Sequence, residues 1–322
     1  MMKKWIRPLV GIFISVALTW MLVSKLDWDQ FFMYLRPLNF TILAAAVVIQ
    51  SISYYWRSWR WQWIQFPVKS PGVPSLYSTL AISYMLNTVL PLRLGDVGRV
   101  IIITRQGNAT VAQSISALLV ERGFDAVAIV LIGSIAAYIL NLPLGFVSVA
   151  VVIATGAIIV LYGLLVWKPD PVRVRQWIFR LIRKDKVADK VAELVSRFNL
   201  RISTRDVWRI FFLSVLVWFT EAAGYFLIGI AFGFSWTPVA ALFTMAVVNI
   251  ATMIPSSPGY VGTFQYMTVL ALSQFLVPFN EAMAYSVVTH ILIFTPITLI
   301  GYICFWRSDL KMKALNTGLT GE

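Results

Sequence analysis

A single cysteine and a single histidine leave this chain almost without redox or metal-binding chemistry. Cys304 can form no internal disulfide, and no CxxC pair exists to hold zinc. His290 stands alone in an apolar run, so neither a Ser-His-Asp triad nor a His-based metal site has its parts. No metal and no cofactor are expected. Charge is scarce too: 13% of residues are charged, where soluble domains hold about a quarter.

What the chain has instead is apolar length. Of its 322 residues 59% are hydrophobic, with a mean hydropathy of +0.78. Runs near 8–23, 39–56, 111–140, 145–167, 210–232 and 282–306 are each long enough to cross ~30 Å of hydrocarbon. Met1-Met2-Lys3-Lys4 and the apolar run after it resemble a signal peptide, but no small-residue cleavage site follows. The expectation is an uncleaved first span. The net charge of +13 fits nucleic acid or an anionic membrane surface. The basic residues form no polar domain of their own, so the membrane surface is expected and nucleic acid is not.

Lysine and arginine collect on the cytoplasmic side of membrane proteins. One orientation places all but Lys25, Arg36 and Arg122 of the 27 basic residues on a single side, with both termini cytoplasmic in the plasma membrane. In it Arg57 and Arg60 fall in a cytoplasmic connection, and Trp56, Trp59, Trp61 and Trp63 form an interfacial belt. The apolar segments 75–105 and 238–278 must then each enter and leave on one side. Both are broken by proline and glycine, which interrupt or loosen a helix.

The two breaks share a pattern. Asn87 precedes Pro91, Gly95 and Gly98; Asn249 precedes Pro255, Pro258, Gly259 and Gly262. Both contain P-x-x-x-G-x-x-G. The predicted fold class is therefore all-α: a polytopic helical membrane protein of two inverted repeats. Each repeat has two spans, a broken re-entrant hairpin and one further span. Residues 1–143 form the first, with hairpin 75–105, and 144–322 the second, with hairpin 238–278. Such paired, interrupted segments form binding sites near the midplane of transporters. Simple kinking of two helices would also account for the proline and glycine. Segment 170–202 alternates apolar faces with arginine and lysine. It reads as amphipathic helix on anionic inner-leaflet lipids, or equally as a solvated basic connector.

Charges inside spans are expensive, at roughly 3 kcal/mol each, and normally find partners. Glu121 and Asp125 share one face of the 111–140 span, Arg122 is offset by about 100°, and Glu221 lies in 210–232. One reading makes Arg93, Arg99 and Arg122 a cationic pocket for a lipid phosphate, shaped by Asp96, Glu121, Asp125 and Glu221. Arginine's planar fork suits phosphate oxygens. The other makes them an internal ion-pair network, such as Arg99 with Glu121, that pins the hairpin. No catalytic residue is assigned, because no nucleophile or metal set accompanies the carboxylates. His290 and Gln50 are read as interhelical hydrogen-bonders.

The run Pro91-Leu-Arg93-Leu-Gly95-Asp96-Val-Gly98-Arg99, with Glu121-Arg122-Gly-Phe-Asp125 and Pro255-Ser-Ser-Pro258-Gly259-Tyr-Val-Gly262, resembles the transmembrane region of lysylphosphatidylglycerol synthases. That region also occurs alone as the flippase-like UPF0104 family. The resemblance covers nearly the whole chain. It implies a lipid-translocating domain for a phospholipid or a polyprenyl-phosphate-linked lipid. The synthases carry a soluble aminoacyl-transfer domain, which is not found in these 322 residues, so transport is expected rather than synthesis. No ATPase motif is present, so transport would be passive or coupled to an ion gradient. Tyr260 and Gln265 stand where the family commonly has glycine and an acidic residue. This departure points away from a lysyl-lipid and toward a neutral or anionic headgroup. The alternatives are a membrane-embedded lipid-modifying enzyme, which would need an acidic metal motif such as DxD, and a scaffold for a separate soluble synthase.

Overall fold

Backbone amides inside a bilayer have no water to bond, so a spanning chain must satisfy them within its own helices. The computed structural model is helical throughout its described residues, which contain no strand. These are residues 13–65 without 14, 71–142 without 91, 92 and 108, residue 156, 170–192 without 186, 190 and 191, and 203–308 without 254–256. The expected span 145–167, Pro91 and Pro255 therefore lie outside the described residues, apart from Gly156 in that span. So does most of 183–202.

Short polar residues set where the helices start. Asp27 accepts the amides of Asp29 and Gln30 at 3.0 and 3.1 Å and opens α1, Trp28–Leu35. Asn39 does the same for α2, Phe40–Gln65, which is bent by 83° from α1. Helices α3, Val73–Val89, and α4, Leu94–Arg105, flank the first break. A Thr110–Gln113 capping box opens α5, Val111–Ile139. Then follow α6, Pro171–Ile182, and α7, Thr204–Ala231. The second break lies between α8, Pro238–Thr252, and α9, Thr263–Ser273, and holds a short 3-10 turn at Pro258–Tyr260. The last helix is α10, Phe279–Arg307.

Among the described helices α7 and α10 are long and apolar enough to cross a membrane, and α1 with α2 qualifies as a bent pair. Helix α5 matches their length but carries Glu121, Arg122 and Asp125. The packing is reciprocal. Helix α2 lies along α7; α5 packs on α8, and α10 packs on α3. The main apolar cluster joins α2, α5, α7, α8, α9 and α10 around Met245, Tyr225 and Tyr285.

The structure departs from expectation in α2. The span expected to end at 56 continues as helix to Gln65, so Arg57 and Arg60 are buried within α2 and not in a cytoplasmic connection. Trp61 is buried with them, while Trp59 is exposed. Carboxylates on neighbouring helices meet these arginines, which is what lets the apolar helix continue past them. Gln50 also differs: its side chain is buried against Gly224 with no hydrogen-bond partner. His290 of α10 reaches the second break rather than another long helix, with its Nε2 donating to the Gly259 carbonyl of the Pro258–Tyr260 turn at 2.7 Å.

The matching glycines do different work. Gly95 and Gly98 lie inside α4 and let it close on α3; a Cβ on Gly95 would overlap the Ser83 carbonyl and the Asn87 amide. Gly259 and Gly262 have φ of 63° and 85°, a left-handed backbone open to glycine at little cost. Gly95→Val is expected to destabilise the protein by about 1–3 kcal/mol, because the obstructing atom is backbone and cannot swing away. Thermal unfolding in detergent would measure this; an unchanged Tm would mean the α3–α4 contact is looser than described.

Helix α6 ends at Arg183 in left-handed geometry. Val172, Trp177, Leu181 and Ile182 are exposed apolar side chains on it. Arg175 pairs with Asp185 at 3.2 Å and Asp189 at 2.5 Å, and the Asp189 hydrogen bond raises the Arg175 pKa above its usual value.

Candidate functional site

Helical spacing on α2 and α5 builds the charged centre. Arg57 and Arg60 are three apart, and Glu121 and Asp125 four apart, so each pair projects from one face. Arg60 has no exposed surface. Its guanidinium reaches Asp125 at 2.6 and 3.2 Å, Glu121 at 3.2 Å and the Ser214 hydroxyl at 2.8 Å. Glu121 also accepts Arg99 at 2.7 Å and the indole N–H of Trp61. Arg99 lies 4.9 Å from the Trp61 ring centre. These groups form a sealed layer that ties α2, α4, α5 and α7 together. The anticipated Arg99–Glu121 pair sits here.

A second layer opens onto a cavity of about 70 Å³. Arg57 meets Glu221 at 2.5 Å and stacks over Trp218 at 4.5 Å. Asn249 donates to the other Glu221 oxygen at 3.1 Å. Arg122 grips Asp96 through both oxygens, at 2.8 and 2.9 Å. Asp96 also takes a long hydrogen bond of 3.4 Å from Asn87, which in turn accepts the Gly95 amide at 2.8 Å.

The two breaks touch at this cavity. Arg93, between α3 and α4, donates to the Thr252 carbonyl at the end of α8 and lies 5.4 Å from the Tyr260 ring centre. Gly259 rests against Thr88 of α3. Arg93 adopts left-handed φ and ψ of 55° and 39°. This conformation is uncommon for a residue with a side chain and marks strain held by its surroundings.

The expected residues divide. Arg93, Arg122, Asp125, Glu221, Asn87 and Asn249 line the cavity. Asp96 holds Arg122 at its edge. Arg99 and Glu121 lie behind, 1% and 0% exposed, and do not line it. The hairpin glycines and Pro258 shape the backbone around it, as described above. Reasoning from sequence missed Arg57, Arg60, Tyr54 and Tyr84. A signal was there: Asp96, Glu121, Asp125 and Glu221 outnumber Arg93, Arg99 and Arg122, and Arg57 and Arg60 continue the helical period of the apolar span before them.

Asp27-Trp28-Asp29 is a tripeptide of the DxD form. Asp27 is spent on capping α1, and no group of three His, Cys, Asp or Glu among the described residues could hold a metal ion. A larger cavity of about 230 Å³ between α5, α8 and α9 is lined by apolar groups with Gln274 and carries no charge.

Comparison with known proteins agrees with this architecture. Residues 9–301 match the family model described as the lysylphosphatidylglycerol synthase TM region. A UPF0104 membrane protein of Methanocaldococcus jannaschii is 22% identical over 235 residues, 70% of this chain and 96% of that protein. The glycosyltransferase AglD of Haloferax volcanii is 24% identical over 350 residues, 96% of this chain and 54% of that protein. The chain thus spans about half the length of AglD.

Proposed function

We propose, from the premise that the chain belongs to the lysylphosphatidylglycerol synthase TM region family and is an integral membrane protein, that it moves a phosphate-bearing lipid headgroup between leaflets. The observation carrying this reading is the polar cavity at the meeting of the two chain breaks. Arginine, carboxylate, amide and phenol groups enclose it within apolar helices. Broken backbone at such depth is tolerated only where protein or a water-filled cavity surrounds it. The headgroup would pass through this cavity while its acyl or prenyl chains stay in lipid.

The reciprocal packing of α5 on α8 and α10 on α3 supports the inverted-repeat organisation, with 1–143 and 144–322 exchanging equivalent contacts. The same reading sets the protein in the plasma membrane with cytoplasmic termini. It lays α6 on anionic inner-leaflet lipids, with Trp177 and Leu181 in the acyl boundary. A nitroxide on Trp177→Cys, in a Cys304→Ser background, should then be relaxed by lipid-soluble oxygen more than by an aqueous nickel chelate. Equal relaxation by both would return α6 to a solvated connector.

The central test is translocation of fluorescent phospholipids and polyprenyl phosphates in proteoliposomes. Protein-dependent movement is expected for at least one class. No movement across the panel would overturn the reading. The name of AglD keeps a second reading open, a lipid-modifying enzyme or the scaffold of one. Product formed by the purified protein and lost in Asp96→Asn would favour the enzyme. A soluble synthase that co-purifies, with no transport by the chain alone, would favour the scaffold.

A further inference from the structure

We infer that the cavity takes a lipid whose headgroup bears one net negative charge, a phosphodiester monoanion, and that Arg93 is the residue that meets it. This rests on the translocation reading above and narrows its substrate class.

Charge balance among the side chains that line the cavity and the layer behind it carries the inference. Among the described residues, Arg57, Arg60, Arg93, Arg99 and Arg122 meet around the cavity and the layer behind it. Only Asp96, Glu121, Asp125 and Glu221 oppose them. Arg57 has Glu221; Arg60 has Asp125 and Glu121; Arg99 has Glu121; Arg122 has Asp96. No described carboxylate lies within ion-pair distance of Arg93. Among the described residues its one side-chain hydrogen bond goes to the neutral Thr252 carbonyl, and its buried Nε has no partner there. The opposite hairpin offers Arg93 the Thr252 carbonyl and the Tyr260 ring but no charge, because residues 238–278 contain no Asp, Glu, Lys or Arg.

The site is therefore left with one excess cation at a depth where unpaired charge is costly. That cation sits on a strained backbone at the contact between the two breaks, with donor capacity unused. A guanidinium in this state matches a phosphate oxygen in charge and in donor geometry. The count also sets a limit. One monoanion neutralises the site, a diphosphate overfills it with negative charge, and an aminoacyl lipid of net positive charge adds to the excess.

The test uses the full chain in detergent with four lipids offered in competition. They are phosphatidylglycerol, phosphatidylcholine, lysyl-phosphatidylglycerol and undecaprenyl diphosphate, with bound lipid read by native mass spectrometry. Phosphatidylglycerol is expected to be retained over each of the others by about tenfold or more. The preference should vanish in Arg93→Gln and survive in part in Arg93→Lys. Equal or tighter retention of the diphosphate, or an unchanged preference in Arg93→Gln, would overturn the inference. Should Arg93→Gln not fold, the panel on the unaltered protein decides alone. Charge-selective retention without translocation would leave this inference standing and sink the transport reading. Translocation blind to headgroup charge would do the reverse.

Discussion

Arg60→Met is expected to cost the folded state about 3–5 kcal/mol, the range for removing one partner of a buried ion pair. Arg60 is fully buried and holds Asp125 through two hydrogen bonds, with Glu121 and Ser214 as further partners. Among the described residues, truncation leaves Asp125 with only the Trp218 indole at 3.2 Å and Arg122 at 4.0 Å. Glu121 suffers less, because Arg99 and Trp61 remain. The measurement is thermal unfolding in detergent, followed by tryptophan fluorescence. Adding Asp125→Asn to Arg60→Met should recover part of the loss by removing the stranded charge. Arg60→Lys should fall between, since a single ammonium cannot span the three groups that a planar guanidinium reaches. An Arg60→Met protein as stable as wild type would show that the sealed layer does not hold these helices together.

Arg57→Gln is expected to slow lipid translocation by about two orders of magnitude, the kinetic size of losing about 3 kcal/mol at a truncated charged pair. Unlike Arg60, Arg57 lines the cavity, and so does Glu221 of α7, with which it is in direct contact. The variant leaves Glu221 held by Asn249 alone among the described side chains. Arg57→Gln with Glu221→Gln should unfold near the wild-type temperature, because no charge is stranded, yet remain slow in transport. That split separates a transport group from a structural one. Wild-type rates in both variants would mean that the pair only braces the helices.

The helices were legible because apolar runs of spanning length leave little choice of structure, and because proline and glycine mark the breaks. The same signals located Arg93, Arg122, Asp125 and Glu221, since an ionised group inside an apolar run stands out. Arg57 and Arg60 escaped for the complementary reason. They sit at the end of an apolar run among tryptophans, where positive charge usually means an interface. Only the carboxylates on α5 and α7, 61 to 164 positions away in sequence, show that the helix continues around them. The paired glycines misled in a subtler way. One spacing serves close helix packing at Gly95 and left-handed turns at Gly259 and Gly262, because a missing side chain relieves either constraint.

Sequence alone determined that this is a helical membrane chain with two interrupted segments and buried charge, because hydropathy and chain-breaking residues act locally. Tertiary structure decided how that charge divides between a sealed brace at Arg60, Arg99 and Glu121 and a cavity at Arg57, Arg93 and Arg122. The division depends on which guanidinium each carboxylate reaches across neighbouring helices. That is a matter of distances between segments far apart in the chain, which no local pattern encodes.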